Sequence, residues 1–276
     1  MSADFLALMA ASSSRRVAEA RQLHSDAEIW QRAESAPPPP RLALSLRGFD
    51  VIAEVKLRSP AVGQLAAGTA DVAARVADYA RAGAAAVSVL TEPERFEGSL
   101  HHLEQAAHAL RAAGGVPAMR KDFLVDPYQI AEARLAGAGG VLVIVRMLER
   151  RELDALIEAA ARLDLFVLIE TFDEADIRVA VDLLAAHGGR GVPLLVGVNS
   201  RDLTTLTMVP GRLEELVALL PDGVPRVAES GVAHAADAAR LASAGYTMAL
   251  VGSALMTAGD PAALLAAMLA AGRGAR

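Results

Sequence analysis

The 276-residue chain is 53% hydrophobic, which suits one large globular domain, or two small ones, with ample chain to bury a core, and excludes disorder as its main state. Its 27 basic and 33 acidic residues leave a net charge of −6, the wrong sign for a protein that lives on nucleic acid or anionic lipid. There is no cysteine, which removes disulfides, thiolate metal sites and cysteine nucleophiles and fits a reducing compartment.

In chain order, residues 1–11 hold a short apolar run behind Asp4 with no basic lead, so the signal-peptide pattern is missing. No uninterrupted apolar stretch approaches the roughly 18 residues of a membrane span, and the expectation is a soluble, cytoplasmic protein. Leu6, Met9, Val17, Ala20 and Leu23 recur at helical spacing in a stretch rich in Arg, Glu and Ala. Four prolines at 37–40 then stop any helix, because they have no N–H to donate and favour extended backbone. Residues 1–40 therefore read as a helical extension with a linker, and 41–276 as the main body. Trp30 in that extension reads as a packing residue, or as a wall of a site if the extension folds over the body.

From Phe49 onward, short β-branched or apolar runs alternate with Ala-rich helical stretches that end near glycines. The runs cover 51–55, 86–90, 117–119, 141–145, 165–169, 194–198, 226–228 and 248–251. Thr69 and Asp71 can cap a helix that stops at Gly83; Asp126 before Pro127 is an N-cap with proline at the first helical position, ending at Gly137. Further stops fall at Gly188 and Gly245. Eight such units at spacings of roughly 20 to 35 residues match an α/β fold of the (β/α)8 TIM-barrel type with an N-terminal helical extension. A doubly wound sheet has fewer units and a G-x-G-x-x-G turn after its first strand, which this chain lacks.

In such barrels the chemistry sits at the carboxyl ends of the strands. Strand 1 closes with Glu54 and Lys56, which at spacing two point to one face, either as a plain salt bridge or as working groups. Strand 3 ends at Lys121, strand 5 at Glu170, strand 6 at Asn199 and strand 7 at Glu229. Two lysines, three glutamates and an asparagine on one mouth form an acid–base constellation. Ser230-Gly231 after strand 7 and Gly252-Ser253 after strand 8 lie where barrels of this kind bind phosphate, and Ser59 after strand 1 can add a hydroxyl. Phe96 and Phe123, in loops after strands 2 and 3, suit an aromatic substrate. Arg201 reads as a support behind these groups. The six histidines show no metal-ligand spacing and read as surface or structural residues.

Glu54-Val55-Lys56 with Ser59-Pro60, Thr91-Glu92 with Phe96 and Gly98-Ser99, Arg120 to Gln129, Gly197 to Leu203, Ala228 to Gly231, and Gly252-Ser253 with Leu255-Met256 follow one another along the chain. Together they resemble the motif series of the indole-3-glycerol-phosphate synthase family, from about Phe49 to the end, and the N-terminal extension resembles that family's as well. The resemblance implies a lyase that closes the indole ring of 1-(2-carboxyphenylamino)-1-deoxyribulose 5-phosphate with loss of carbon dioxide and water, in tryptophan biosynthesis. It implies Lys121 as general acid, Glu170 as general base, and Glu54, Lys56, Asn199 and Glu229 as the rest of the site. Phosphate would sit on Ser59, Gly231, Gly252 and Ser253.

The residue types suit that chemistry. A cation that protonates the ketone under attack lowers the barrier, help worth about 10²- to 10⁴-fold. Lys56 is placed to pair the substrate carboxylate and hold the ring for attack. Two lysines beside several carboxylates titrate as a coupled set, so the residues alone leave open which lysine serves which step. No metal or cofactor is required, and the expected partner is a small phosphorylated substrate, without nucleic acid or membrane, on a monomer. The family usually continues after Ser-Pro with Ser-Lys-Gly, whereas this chain has Ala61-Val62-Gly63. That departure admits a second reading, a paralogue acting on a modified aryl-amino ribulose phosphate. A phosphate-binding barrel isomerase and a Schiff-base aldolase are further candidate activities for the same fold.

Overall fold

A computed structural model describes residues 5–46, 48–59, 63–64, 71–189, 191, 193–203 and 205–275. Eight parallel strands close into a barrel: β1 (Asp50–Val55), β2 (Ala86–Leu90), β3 (Ala118–Lys121), β4 (Gly140–Ile144), β5 (Phe166–Thr171), β6 (Leu194–Asn199), β7 (Arg226–Glu229) and β8 (Met248–Val251). Each neighbours the next in sequence, and β1 closes on β8 with Asp50 beside Met248 and Ala53 beside Val251. The eight expected runs all become strands. Their ends differ where polar residues continue the ladder, as at Glu170 and Thr171, which pair with Gly197 and Val198.

Alternation along these strands sorts the core into two. Outward residues such as Val51, Val87, Val141 and Val196 meet the surrounding helices, while Ile52, Met119, Leu142, Phe166, Leu195 and Met248 fill the barrel interior. The helix stops act as the sequence suggested. Asp71 accepts from the Ala74 N–H to start the helix Val72–Arg81, and Asp126 accepts from Tyr128 to start Pro127–Leu135. Gly83, Gly137 and Gly245 take positive φ, where a Cβ is penalised. Gly188 differs: it ends its helix with φ −57°. Thr69 lies outside the described residues.

The extension forms two helices, α1 (Phe5–Leu23) and α2 (Asp26–Ser35). The break falls at Ser25, whose side chain accepts from Glu28 N–H while Glu28 reaches back to Ser25, a capping box. Leu6 and Met9 join the barrel-interior cluster and Val17 the outer one, whereas Leu23 is 79% exposed. The Pro37–Pro40 segment is held down: the Arg134 guanidinium donates to the carbonyls of Ala36 (2.8 Å) and Pro37 (2.5 Å). Trp30 packs under the Arg162 guanidinium, 4.6 Å from its ring centre, so it serves packing. His187 is buried and pairs with Asp154 at 2.7 Å, a structural role. Among the described residues, no helix is long and apolar enough to cross a membrane.

Candidate active site

A cavity of about 410 Å³ opens at the carboxyl ends of the strands and gathers Glu54, Lys56, Lys121, Glu170, Asn199 and Glu229 in its lining. Lys121 Nζ stands 3.8 Å from Glu170 Oε2 and 3.8 Å from Glu229 Oε2. Burial works against its charge, but Glu170, Glu229 and Glu54 outweigh it and raise the ammonium above its ordinary pKa. Lys56 Nζ is held more tightly, 2.6 Å from Glu54 Oε1. The plain salt bridge expected as one reading of this pair is therefore present, with both groups on the cavity wall.

Asn199 has its orientation set by the backbone. Its Oδ1 accepts the Arg201 N–H (2.9 Å), which turns Nδ2 toward Glu170 Oε1 at 2.5 Å. Glu170 is thereby fixed on one oxygen and faces Lys121 with the other. Glu229 is different, because among the described residues neither buried oxygen has a hydrogen-bond partner. Burial, then the charge of Glu170, pushes its carboxyl well above the usual range against the pull of Lys121.

Two glycines make room for these carboxylates. A Cβ on Gly197 would lie 2.0 Å from Glu229 Oε1, and a Cβ on Gly252 would lie 2.1 Å from Glu54 Oε1 and 2.9 Å from Lys56 Nζ. Gly252, expected only at an anion rim, thus also houses the Glu54–Lys56 pair. Gly197→Ala is expected to overpack the barrel, a change that typically costs about 1–3 kcal/mol, and to displace Glu229. The check is a double-mutant cycle on the thermal midpoint: adding Glu229→Ala should restore stability but not turnover, and strictly additive losses would refute the slot.

The cavity's aromatic side has three rings. Phe123 meets Phe5 edge-on at 5.8 Å and Phe96 at 6.2 Å between centroids. Phe96 and Phe123 stand where the sequence placed them; Phe5 was missed. The helical spacing is read from Leu6 and Met9, and nothing local shows that this helix would cover the mouth. Leu203, Leu206 and Met208 after β6 supply further apolar wall. Arg201 lines the cavity and donates from Nη1 to the Leu206 carbonyl at 2.7 Å, bracing that loop.

Ser230, Gly231, Gly252 and Ser253, after β7 and β8, also line the cavity. Ser230 (φ 67°) and Gly231 (φ 75°) are successive left-handed residues, a costly conformation for serine that clusters at ligand sites. Ser200 Oγ braces the turn by donating within 3.2 Å of the Glu229 and Ser230 carbonyls. The Ser59 side chain, Ala61 and Val62 lie outside the described residues. Among the described residues, no group of three or more histidine or carboxylate side chains is arranged to hold a metal ion.

A closed parallel barrel whose lysines and glutamates converge at the carboxyl ends of the strands defines the class, a (β/α)8-barrel enzyme. Residues 6–268 match the family model for indole-3-glycerol phosphate synthase. Relatives of that name from Parafrankia sp. (strain EAN1pec) and Mycolicibacterium smegmatis are 44% and 43% identical, each over 89% of this chain and covering 88% and 86% of their own lengths. One from Mycobacterium tuberculosis is 41% identical over 89% of this chain and 86% of its own. The chain belongs to the indole-3-glycerol phosphate synthase family, a family of carboxy-lyases. Two solved structures share its fold alone. A 3-hexulose-6-phosphate synthase from Salmonella typhimurium has TM-score 0.59 at 12% identity, over 83% of this chain and 100% of that one. A thiamine phosphate pyrophosphorylase from Pyrococcus furiosus has TM-score 0.56 at 15% identity, over 81% and 96%.

Proposed function

We propose that the chain closes the indole ring of 1-(2-carboxyphenylamino)-1-deoxyribulose 5-phosphate, a step of tryptophan biosynthesis, with Lys121 as general acid and Glu170 as general base. The observation that carries these roles is the placement of Lys121 Nζ midway between Glu170 and Glu229, at 3.8 Å from each, beside a cavity walled by three phenylalanines. Lys121, 3.8 Å from each of its two carboxylates, has room to turn toward a substrate carbonyl, whereas Lys56 is already engaged by Glu54 at 2.6 Å.

The aryl ring packs against Phe5, Phe96 and Phe123, and the phosphate sits at the Ser230-Gly231 and Gly252-Ser253 rim, with Ser59 and Arg201 as further contacts. The ring carbon bearing the carboxylate attacks the ketone carbon, and Lys121 gives its proton to the ketone oxygen as the carbon–carbon bond forms. Lys56 pairs with the substrate carboxylate until the carbon–carboxyl bond breaks; carbon dioxide leaves and the electron pair restores the aromatic ring. The new hydroxyl then departs as water with a proton from a lysine, while Glu170 takes the ring proton that completes the indole. Asn199 orients Glu170, and Glu54 and Glu229 balance the two lysines. The same reading makes the chain a cytoplasmic monomer, in keeping with its cysteine-free composition.

Purified protein given the carboxyphenylamino ribulose phosphate is expected to develop indole fluorescence without added metal. Borohydride should trap no adduct; a covalent lysine adduct would favour a Schiff-base aldolase. A silent enzyme that binds this substrate yet turns over a ring-substituted one would favour the paralogue suggested by Ala61-Val62.

A further inference from the structure

We propose that Arg16, on α1, is a positioning residue for the reaction, acting through Asp122 to set where Lys121 and Phe123 stand. The inference rests on the reading of Lys121 as the acid. Lys121 ends β3 with its side chain in the cavity, Asp122 follows it, and Phe123 returns to the cavity wall. A side chain locked between two residues that face the substrate fixes the backbone from which both project.

Asp122 is so locked. Its side chain is fully buried and accepts from Arg16 twice, Nη1 to Oδ2 at 2.9 Å and Nη2 to Oδ1 at 2.8 Å. Thr91 Oγ1 donates to Oδ2 at 2.7 Å and the Phe123 N–H to Oδ1 at 2.8 Å, with Arg120 Nη2 at 3.4 Å. Thr91, Phe123 and Arg120 belong to the barrel; Arg16 reaches Asp122 from outside it. Nor can Arg120 replace Arg16, because its Nη1 is committed to the Gln129 carbonyl at 2.8 Å and to Glu132 at 3.0 Å. Burial alone would raise the Asp122 carboxyl, but Arg16, Arg120 and Thr91 hold it below its ordinary value.

The rest of α1 grips the same loop. Gln129 Nε2 donates to Ser13 Oγ at 2.8 Å, Arg21 forks onto Asp126 at 2.9 and 3.0 Å, and the Phe5 ring abuts Phe123. The segment from Lys121 to Gln129 is thus held at Asp122, Phe123, Asp126 and Gln129 by one helix. Misplacing a reacting group by about 1 Å can cost about 10²-fold in rate. A helix that merely braced the barrel would change stability and leave the rate of the folded enzyme alone.

The test compares wild type with Arg16→Ala and Arg16→Lys, each confirmed as folded by circular dichroism at the assay temperature. The readouts are kcat, the constant for competitive inhibition by inorganic phosphate, and the pH dependence of Lys121 reductive methylation followed by mass spectrometry. The expected result is a kcat lowered at least about 10-fold by Arg16→Ala, partial recovery in Arg16→Lys, phosphate inhibition within about 2-fold of wild type, and a displaced Lys121 methylation profile. Wild-type kcat and methylation profile in a folded Arg16 variant would overturn the proposal, as would an equal loss of rate and phosphate affinity. Should Arg16→Ala not fold, Arg16→Lys decides, since it keeps the charge and removes the two-pronged hydrogen bond. A wild type without turnover counts against the reading of the site, whereas an active wild type beside unimpaired variants counts against Arg16 alone.

Discussion

Lys121→Ala is expected to lower kcat by about 10²- to 10⁴-fold, the span that a positioned general acid contributes, while the barrel still forms. Its effect on stability should depend on pH in a way that reports the local charges. Wild-type Lys121 is the cation between Glu170 and Glu229, and the Glu229 carboxyl is already raised by burial and by Glu170. With the ammonium gone, the two buried carboxyls lose the cation between them, and at least one proton is held more strongly. A carboxyl whose pKa is higher folded than unfolded supports the fold below its unfolded value and loses that support as pH rises through the folded one. The thermal midpoint of Lys121→Ala should therefore fall between pH 5 and pH 8 more steeply than that of wild type. Retained turnover would sink the assignment; a midpoint with the wild-type pH dependence would show that Lys121 is not the balancing charge.

Glu170→Gln should lower indole formation by a comparable factor, about 10² or more, at little cost in stability. The amide can still accept from Asn199 Nδ2, so the geometry of the 2.5 Å contact survives, and Glu229, 3.8 Å from Lys121, still faces the ammonium, so the substitution does not strand a buried charge. The proposed base acts after carbon dioxide has gone. Carbon dioxide release should therefore outlast the indole signal in single-turnover experiments, and simultaneous loss of both would place Glu170 in the ring-closing step instead. If Lys121 and Glu170 act as a unit, the double variant should be little worse than the poorer single one.

The barrel was legible because its strands are buried on both faces, which leaves continuous apolar runs that fit few other folds. The chemistry-bearing residues were legible because they sit at the ends of those runs: Lys121, Glu170, Asn199 and Glu229 all reach the same mouth. Space was not legible. Gly197 inside β6 could have signalled a close approach, but only the assembled barrel shows that the approaching atom is Glu229 Oε1. The extension was the least legible part. Arg16 and Asp122 are 106 positions apart, and no periodicity predicts a partner at that range. The division into α1 and α2 had a readable cue, Ser25 followed three residues later by Glu28.

The anchoring of the extension also bears on the order in which the chain folds during synthesis. Partners of the extension include Asp122 on the β3 loop, Asp126, Gln129, Arg134 and Arg162, whereas barrel closure needs Met248 beside Asp50. At translation rates of about 5–20 residues per second, these partners are made several seconds before the closing strand. The extension can thus dock on the loop after β3 and on the helices that follow β3 and β4 while the remaining strands are still to come, covering apolar surface there when aggregation is the competing fate.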